Sequence, residues 1–440
     1  MANILIVTLP ASGHVNPMLA VARKLVERGN TVRWYCAKSF AAKIETVGAT
    51  LVEMRTVPQR GQGNGNKPVA RFLRWLGVGG TMVDWKNTFI DPIEGQTCEL
   101  EGILAEFPAD VLLSDPVMFA TGIVGERYHL PWAILSITPL AIKSRDVPPF
   151  LLGMKPKYSF LGRLWIAFLY WFADQIVFRE PLKYFASKAK QHGWPFQSFM
   201  QFVSPYLHLQ ASVPALEYPR SDLPEQVRFI GALIPEPEPG FIPPAWWAEL
   251  TETRKPVVLV TQGTVATDVD KLLAPALEAL RDENVLVVAT TVTKTPQELG
   301  LEIPENARIE KFIPFANLMP YVSVCLTNGG FGGVSLALAN GVPVIVAGIT
   351  EEKPEVANRV EYAGAGINLR TATPAREQIR NAVRLILSDR RYWEHAMEIQ
   401  MQGARHDPPA EAAIMVEQLA IMHQPVPAMA ASFARIAQSL

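Results

Sequence analysis

Short apolar runs recur along the chain, and segments with helically spaced apolar positions lie between them. Ile4 to Leu9 is the first run and Thr31 to Cys36 the second; Asp110 to Leu113 and Trp132 to Ile137 follow. Between the first two, Met18, Val21, Ala22 and Leu25 fall on one helical face. Asn16 and Pro17 are suited to the N-cap and first position of that helix, and Gly29 to its stop. The pattern restarts at Pro256 to Thr261 and continues at Val285 to Thr290, Val322 to Leu326 and Val342 to Ala347. Strands apolar on both faces belong in parallel sheets covered by helices, so the alternation predicts an α/β chain of two doubly wound, Rossmann-like domains. Between the halves, Ile234-Pro-Glu-Pro-Glu-Pro-Gly240 reads as a stiff, extended linker. Pro58 to Lys67, rich in Gly, Gln and Asn, reads as a loop. Two domains joined this way leave a cleft, the usual place for a ligand.

A length of 440 residues agrees with two domains, and 49% hydrophobic against 19% charged residues excludes a disordered chain. The formal net charge of −1 gives no reason to expect nucleic acid or an acidic membrane as a partner. Cys36, Cys98 and Cys325 lie far apart and form neither a disulfide framework nor a metal motif; with an N-terminus that reads as a strand, they point to the reducing cytoplasm. One segment stands out. Phe160 to Phe178 is aromatic-rich and nearly long enough to span a membrane, but Arg163 and Asp174 interrupt it. Central charges are expensive in a bilayer, so an apolar helix that lines a pocket or rests on a membrane surface is the expectation.

The candidate chemistry sits where strands end. Thr327-Asn-Gly-Gly-Phe-Gly-Gly333 joins an apolar strand to a helix-like run, Val334 to Asn340. Glycines there let the backbone approach an anion, and the helix's first N–H groups and dipole point at it. After the next strand, Gly348-Ile-Thr-Glu-Glu-Lys-Pro354 places Glu351, Glu352 and Lys353 on a loop at a carboxyl end, where polar side chains can hold sugar hydroxyls or serve simply as a solvated surface. In the first half, Pro10-Ala-Ser-Gly-His14 follows strand one, and Leu112-Leu-Ser-Asp-Pro116 ends a later strand. A histidine there can act as general base, and Asp115 within reach of its ring would fix the tautomer. A helix-capping His and a turn-forming Asp before Pro are the plainer alternatives. His129, His192, His208, His395, His406 and His423 form no metal motif, and no Walker-type Lys follows the glycines, which argues against ATP hydrolysis.

Taken in order, Ala11-Ser-Gly-His-Val-Asn-Pro-Met18, Ser114-Asp-Pro116, Tyr218 to Gly231, Thr261-Gln-Gly-Thr264, Lys311-Phe-Ile-Pro-Phe315 and the Gly-rich cradle with its following loop resemble a known family. It is the bacterial branch of the GT-B nucleotide-sugar glycosyltransferases, which includes macrolide, flavonoid and sterol glycosyltransferases. The resemblance implies an acceptor domain over 1–233, a linker over 234–245, a donor domain over 246–405 and a tail over 406–440 that returns to the first domain. His14 matches the base that deprotonates the acceptor hydroxyl, and Asp115 its partner. Gly263 and Thr264 match a loop near the donor diphosphate. Phe312 takes the place of an aromatic stacked on the base, and the Ile313 backbone the place that pairs with it. Asn328, Gly329, Gly330, Gly332 and Gly333 match the diphosphate cradle, and Glu352 and Lys353 the pair that holds the sugar. Ser12, Asn16, Trp165 and Phe168 are candidate acceptor contacts.

The resemblance implies inverting, metal-independent transfer of a hexose from a UDP- or dTDP-sugar to a hydrophobic, hydroxylated acceptor such as a polyphenol, sterol, polyketide or lipid. No cofactor is expected beyond the donor itself. Departures from the family pattern bear on the donor: Asn328 replaces a histidine, Gly333 a hydroxyl residue, Phe315 a glutamine, Glu352 an aspartate and Lys353 a glutamine. A nucleotide-sugar epimerase and a non-catalytic nucleotide-sugar-binding relative are the rival readings; neither predicts a large apolar acceptor pocket.

Overall fold

The computed structural model describes residues 1–57, 86–150, 152–193, 203–262, 268–291, 298, 300 and 302–426. Pro58 to Lys67, Gly263 and Thr264 lie outside the described residues. The first sheet comprises β1 (Asn3–Val7), β2 (Thr31–Cys36), β3 (Thr50–Glu53), β4 (Val111–Ser114), β5 (Trp132–Ser136), β6 (Leu207–Gln210) and β7 (Val227–Phe229), in the order β3-β2-β1-β4-β5-β6-β7. The second comprises β8 (Val257–Thr261), β9 (Leu286–Thr290), β10 (Ala307–Glu310), β11 (Val324–Thr327), β12 (Val344–Val346) and β13 (Gly366–Asn368), in the order β10-β9-β8-β11-β12-β13. All described strand pairs are parallel.

The apolar runs explain this architecture. Along β1, Ile4 and Ile6 enter one core layer while Leu5 and Val7 enter the other. Along β8, Val257 and Leu259 face one layer, and Val258 and Val260 the opposite one. Each sheet is therefore covered on both faces, as parallel sheets require. These are the two doubly wound domains of the GT-B architecture.

Five helices build the site and join the halves: α1 (Ser12–Glu27), α2 (Phe160–Phe172), α3 (Phe331–Ala339), α4 (Lys353–Tyr362) and α5 (Pro408–Met422). Helix α1 begins at Ser12 rather than after an Asn16 cap, which moves His14 from a loop into the first helical turn. Ala11, extended at φ −137° and ψ 141°, accepts from the His14 and Val15 N–H groups at 2.9 Å, so the turn closes early. Pro17 then sits inside the helix, where its missing N–H forgoes only a bond to the Gly13 carbonyl. Helix α3 likewise starts at Phe331, so Gly332 and Gly333 belong to its first turn.

Two features join the halves. Helix α5 packs on α1, and its Ala412, Ala413, Met415, Val416 and Leu419 complete one core layer of the first domain. Arg28 grips Glu417 with Nε and Nη2 at 3.0 and 2.7 Å, and Asn30 donates to the same carboxylate at 2.6 Å. The second feature is a buried polar seam along α4. Glu355 accepts from the Gly153 N–H at 2.9 Å, Asn358 donates to the Gly153 carbonyl, and Arg359 Nε reaches Glu217 at 2.8 Å. Gly153 lies against Pro354 with φ +58°, where a side chain would meet the ring.

Candidate active site

In each sheet, one pair of neighbouring strands sends its connections to opposite sides, and ligands of open α/β sheets bind at the carboxyl ends of such a pair. The pair is β1 and β4 in the first sheet, with Val7 level with Ser114. Strand β1 leads into α1 and His14; β4 leads directly into Asp115. Residues 101 apart in sequence are thus brought together, with His14 Nδ1 3.0 Å from Asp115 Oδ2.

Asp115 is buried, and both its oxygens are engaged. Oδ2 also accepts from the Leu9 N–H at 2.6 Å, and Oδ1 from the Val117 N–H at 2.9 Å. A carboxylate offers only acceptors, so the ring nitrogen facing it must be the donor. That places the proton on Nδ1 and leaves the Nε2 lone pair on the far side of a ring whose side chain is 18% exposed. Partial exposure with a fixed tautomer is what a general base needs.

In the second sheet the pair is β8 and β11, with Thr261 level with Thr327. Asn328 follows β11, and its side-chain amide donates to the Gln262 carbonyl beyond β8. Gly329 has φ +88°, and a Cβ there would lie 2.5 Å from Val346 Cγ1. Gly348, after β12, admits the Asn328 carbonyl so closely that an added Cβ would lie 2.0 Å from its oxygen. At Gly330, Gly332 and Gly333 an added Cβ would meet nothing within 4 Å among the described residues, so the amino end of α3 is open to them. The cradle is therefore held tightly from beneath and open above its N–H groups.

Strand order lays out the remaining donor candidates. Phe312 and Ile313 follow β10, three strands from β11, roughly 14 Å at the usual interstrand spacing. Ile313 is buried, whereas Phe312 is 68% exposed and offers a ring face. On the other side of β11, the loop after β12 carries Glu351, Glu352 and Lys353. Lys353 lays its stem against Gly348 and Gly329, while its Nζ contacts Glu351 Oε2 at 2.5 Å and Thr350 Oγ1 at 3.2 Å. Glu351 holds φ +56°, a left-handed conformation uncommon for a non-glycine residue. Its carboxylate is the acid paired with Lys353; Glu352 is the N-cap of α4 and makes no capping bond. Thr350 and Glu351 are the partners of Lys353 Nζ among the described residues, and the motif resemblance assigned neither.

Comparison with known proteins decides the family. The family model of the erythromycin biosynthesis protein CIII-like C-terminal domain matches residues 275–419. Over 424 residues, the chain is 41% identical to 4′-demethylrebeccamycin synthase of Lentzea aerocolonigenes, covering 95% of this chain and 99% of that protein. The chain belongs to the UDP-glycosyltransferase superfamily. UDP-glucosyltransferase 1 of Beauveria bassiana is 32% identical, with 92% of this chain and 93% of that protein covered. The crystal structure of the glycosyltransferase of kitacinnamycin superposes with a TM-score of 0.73 at 21% identity, covering 95% of this chain and 98% of that one, and so shares the GT-B fold.

In this glycosyltransferase Ser12 is exposed one turn from Asn16, and Asn16 accepts from Lys43 Nζ at 3.1 Å. Trp165 and Phe168 lie on the outward side of α2, stacked on one another with centroids 5.4 Å apart, opposite the buried Ile166 and Tyr170. Among the described residues no group of three His, Cys, Asp or Glu side chains could hold a metal ion.

Proposed function

We propose that this glycosyltransferase transfers a hexose, with inversion, from UDP- or dTDP-activated sugar to a hydroxyl of a hydrophobic natural product. The His14–Asp115 pair carries the reading. Nε2 of His14 takes the acceptor proton as the oxygen attacks C1 of the donor, the C1–O bond to the diphosphate breaks, and Asp115 stabilises the imidazolium that forms. The donor lies along the second sheet, with base beside Phe312 and Ile313, diphosphate over the cradle and sugar beside Glu351, Glu352 and Lys353. The open N–H groups and dipole of α3 receive the charge of the departing diphosphate, so this reading requires no metal. The relatives named for rebeccamycin synthesis and for UDP-glucosyl transfer support a natural-product acceptor and a UDP-hexose donor.

The test offers UDP-glucose and dTDP-rhamnose separately against a panel of hydrophobic phenols and alcohols, and follows nucleoside diphosphate release and the anomeric configuration of the product. Acceptor-dependent release, a β-glucoside from α-linked UDP-glucose, and a loss of about 10²–10⁴ in kcat for His14→Ala are expected. Unchanged turnover in His14→Ala, or a product that retains configuration, would overturn the assignment.

A further inference from the structure

Helix α2 leaves a continuous apolar face outside the protein. Its inward side is fixed by two contacts: Arg163 Nε meets Asp146 at 2.8 Å, and Tyr170 Oη accepts from the Ser144 N–H at 3.2 Å. The helix cannot roll to hide the opposite side without breaking them. That side shows Phe160, Leu161, Leu164, Trp165, Phe168 and Trp171, from 43% to 76% exposed, at the i, i+3, i+4, i+7 spacing of one stripe. Isolated exposed apolar residues need no explanation, but a contiguous stripe of this size marks an interaction surface.

Charge indicates the partner. From Lys143 to Lys190 the chain holds nine Lys and Arg against three Asp and Glu, although the whole chain is net −1. The helix after α2, Arg179–His192, turns Arg179, Lys183 and Lys190 outward on one face, and none of the three makes an ion pair among the described residues. Lys157, just ahead of α2, is also exposed and without an ion pair among the described residues. An aromatic and leucine-rich face flanked along the chain by such cations matches the acyl and headgroup layers of an anionic bilayer surface. Residues Phe160–Val177 pass for a membrane span by length and composition. Those 18 residues reach about 27 Å, close to a hydrocarbon core of about 30 Å, but Arg163 is tied to the buried Asp146, and Ile166, Tyr170 and Ala173 are buried against the domain, so the segment packs on protein along one side.

We infer that α2 and the basic helix after it seat the first domain on an anionic lipid surface, with α2 lying in the plane of the interface. Lipophilic acceptors partition into that layer, so docking there would put the first domain at their source. This holds whatever donor the enzyme uses.

Flotation of the full chain with vesicles made of equal parts phosphatidylcholine and phosphatidylglycerol tests it against vesicles of phosphatidylcholine alone. Strong flotation is expected only with the anionic vesicles and only at low salt. Combining Leu161→Gln, Leu164→Gln and Trp171→Gln should weaken it at least about tenfold, with an unchanged melting temperature because these side chains are exposed. Lys183→Glu with Lys190→Glu should abolish the preference for anionic lipid. Three results would overturn the inference: no flotation of the wild type, flotation of the apolar variant equal to wild type, or equal binding to both vesicle types. A dimer in solution that the apolar variant turns into a monomer would also overturn it, by assigning the stripe to a second copy.

Discussion

Arg359→Met should destabilise this protein more than almost any other single change of similar volume. The guanidinium and its partners Glu217 and Glu355 have side chains only 2% to 4% exposed. Burial by itself would lower the Arg359 pKa, but the two carboxylates and the Tyr218 ring, 4.4 Å from the guanidinium carbon, raise it above the ordinary value. Methionine restores much of the stem and none of the charge. Glu217 then keeps the Leu140 and Tyr218 N–H donors, and Glu355 keeps the Gly153 N–H. Both carboxylates lose their counter-charge apart from Arg220, 3.9 Å from Glu217.

Stranding a buried charge costs about 3–5 kcal/mol, and each kcal/mol lowers the melting temperature of a domain this size by about 2–4 °C. Calorimetry should therefore show a fall of roughly 6–20 °C near neutral pH. The sign of the pH dependence is fixed as well. Buried carboxylates without a cation bind protons more readily in the folded than in the unfolded variant, so its deficit relative to wild type should narrow as the pH is lowered. Adding Glu217→Gln should recover part of the loss. A melting temperature within about 2 °C of wild type, or a deficit that does not change with pH, would refute the reasoning.

Two further outcomes are expected. Asp115→Asn should lower kcat by about 10³–10⁴ with little change in KM, because a single amide oxygen cannot accept from Leu9, Val117 and the His14 ring together, and the ring loses its fixed tautomer; steady-state kinetics check it. His208 is buried on β6, neither ring nitrogen has a hydrogen-bond partner among the described residues, and burial, reinforced by Arg220, pushes its pKa down to about 3. The folded pKa lies below the unfolded one, so His208 should cost stability as the pH falls from about 6.5 towards 3, and His208→Leu should flatten acid unfolding over that window while leaving stability at neutral pH nearly unchanged.

The strands legible in the sequence were those with enough apolar residues to form a run. Thr31 to Cys36 has the bounds expected of it, and the four apolar runs of the second half all became strands. Strands β3, β6, β7, β10 and β13 carry polar residues such as Glu53, His208, Arg228, Arg308 and Asn368 within three or four positions, so no apolar run marks them, whereas β12, equally short, lies within the run Val342 to Ala347. The Asn16-Pro17 pair misled because it has good cap chemistry, whereas an extended Ala11 closed the turn earlier. The proximity of His14 and Asp115 depends on β1 and β4 being neighbours, and no spacing of 101 residues reveals that; the motif resemblance supplied what periodicity could not. The loop after β12 was readable as a polar loop at a strand's carboxyl end, but that Glu351 rather than Glu352 pairs with Lys353 came with the left-handed turn at Glu351. The α4 seam was not anticipated, although Glu355 and Arg359 have the i, i+4 spacing of a helical ion pair. Another member, Glu217, lies 142 residues from Arg359.

The docking of α5 makes the first domain discontinuous in the chain. Its sheet is complete in sequence at Phe229, yet the helix that seals α1 does not begin until Pro408, about 180 residues later. At synthesis rates of 5–20 residues per second, the nascent first domain waits roughly 9–36 s with the apolar face of α1 uncovered. The second domain is finished first, and a helix made after it closes the first. Termination between Gly403 and Pro408 would therefore release a chain whose second domain is whole and whose first domain is open to aggregation, so that synthesis of α5 is itself a checkpoint on the first domain.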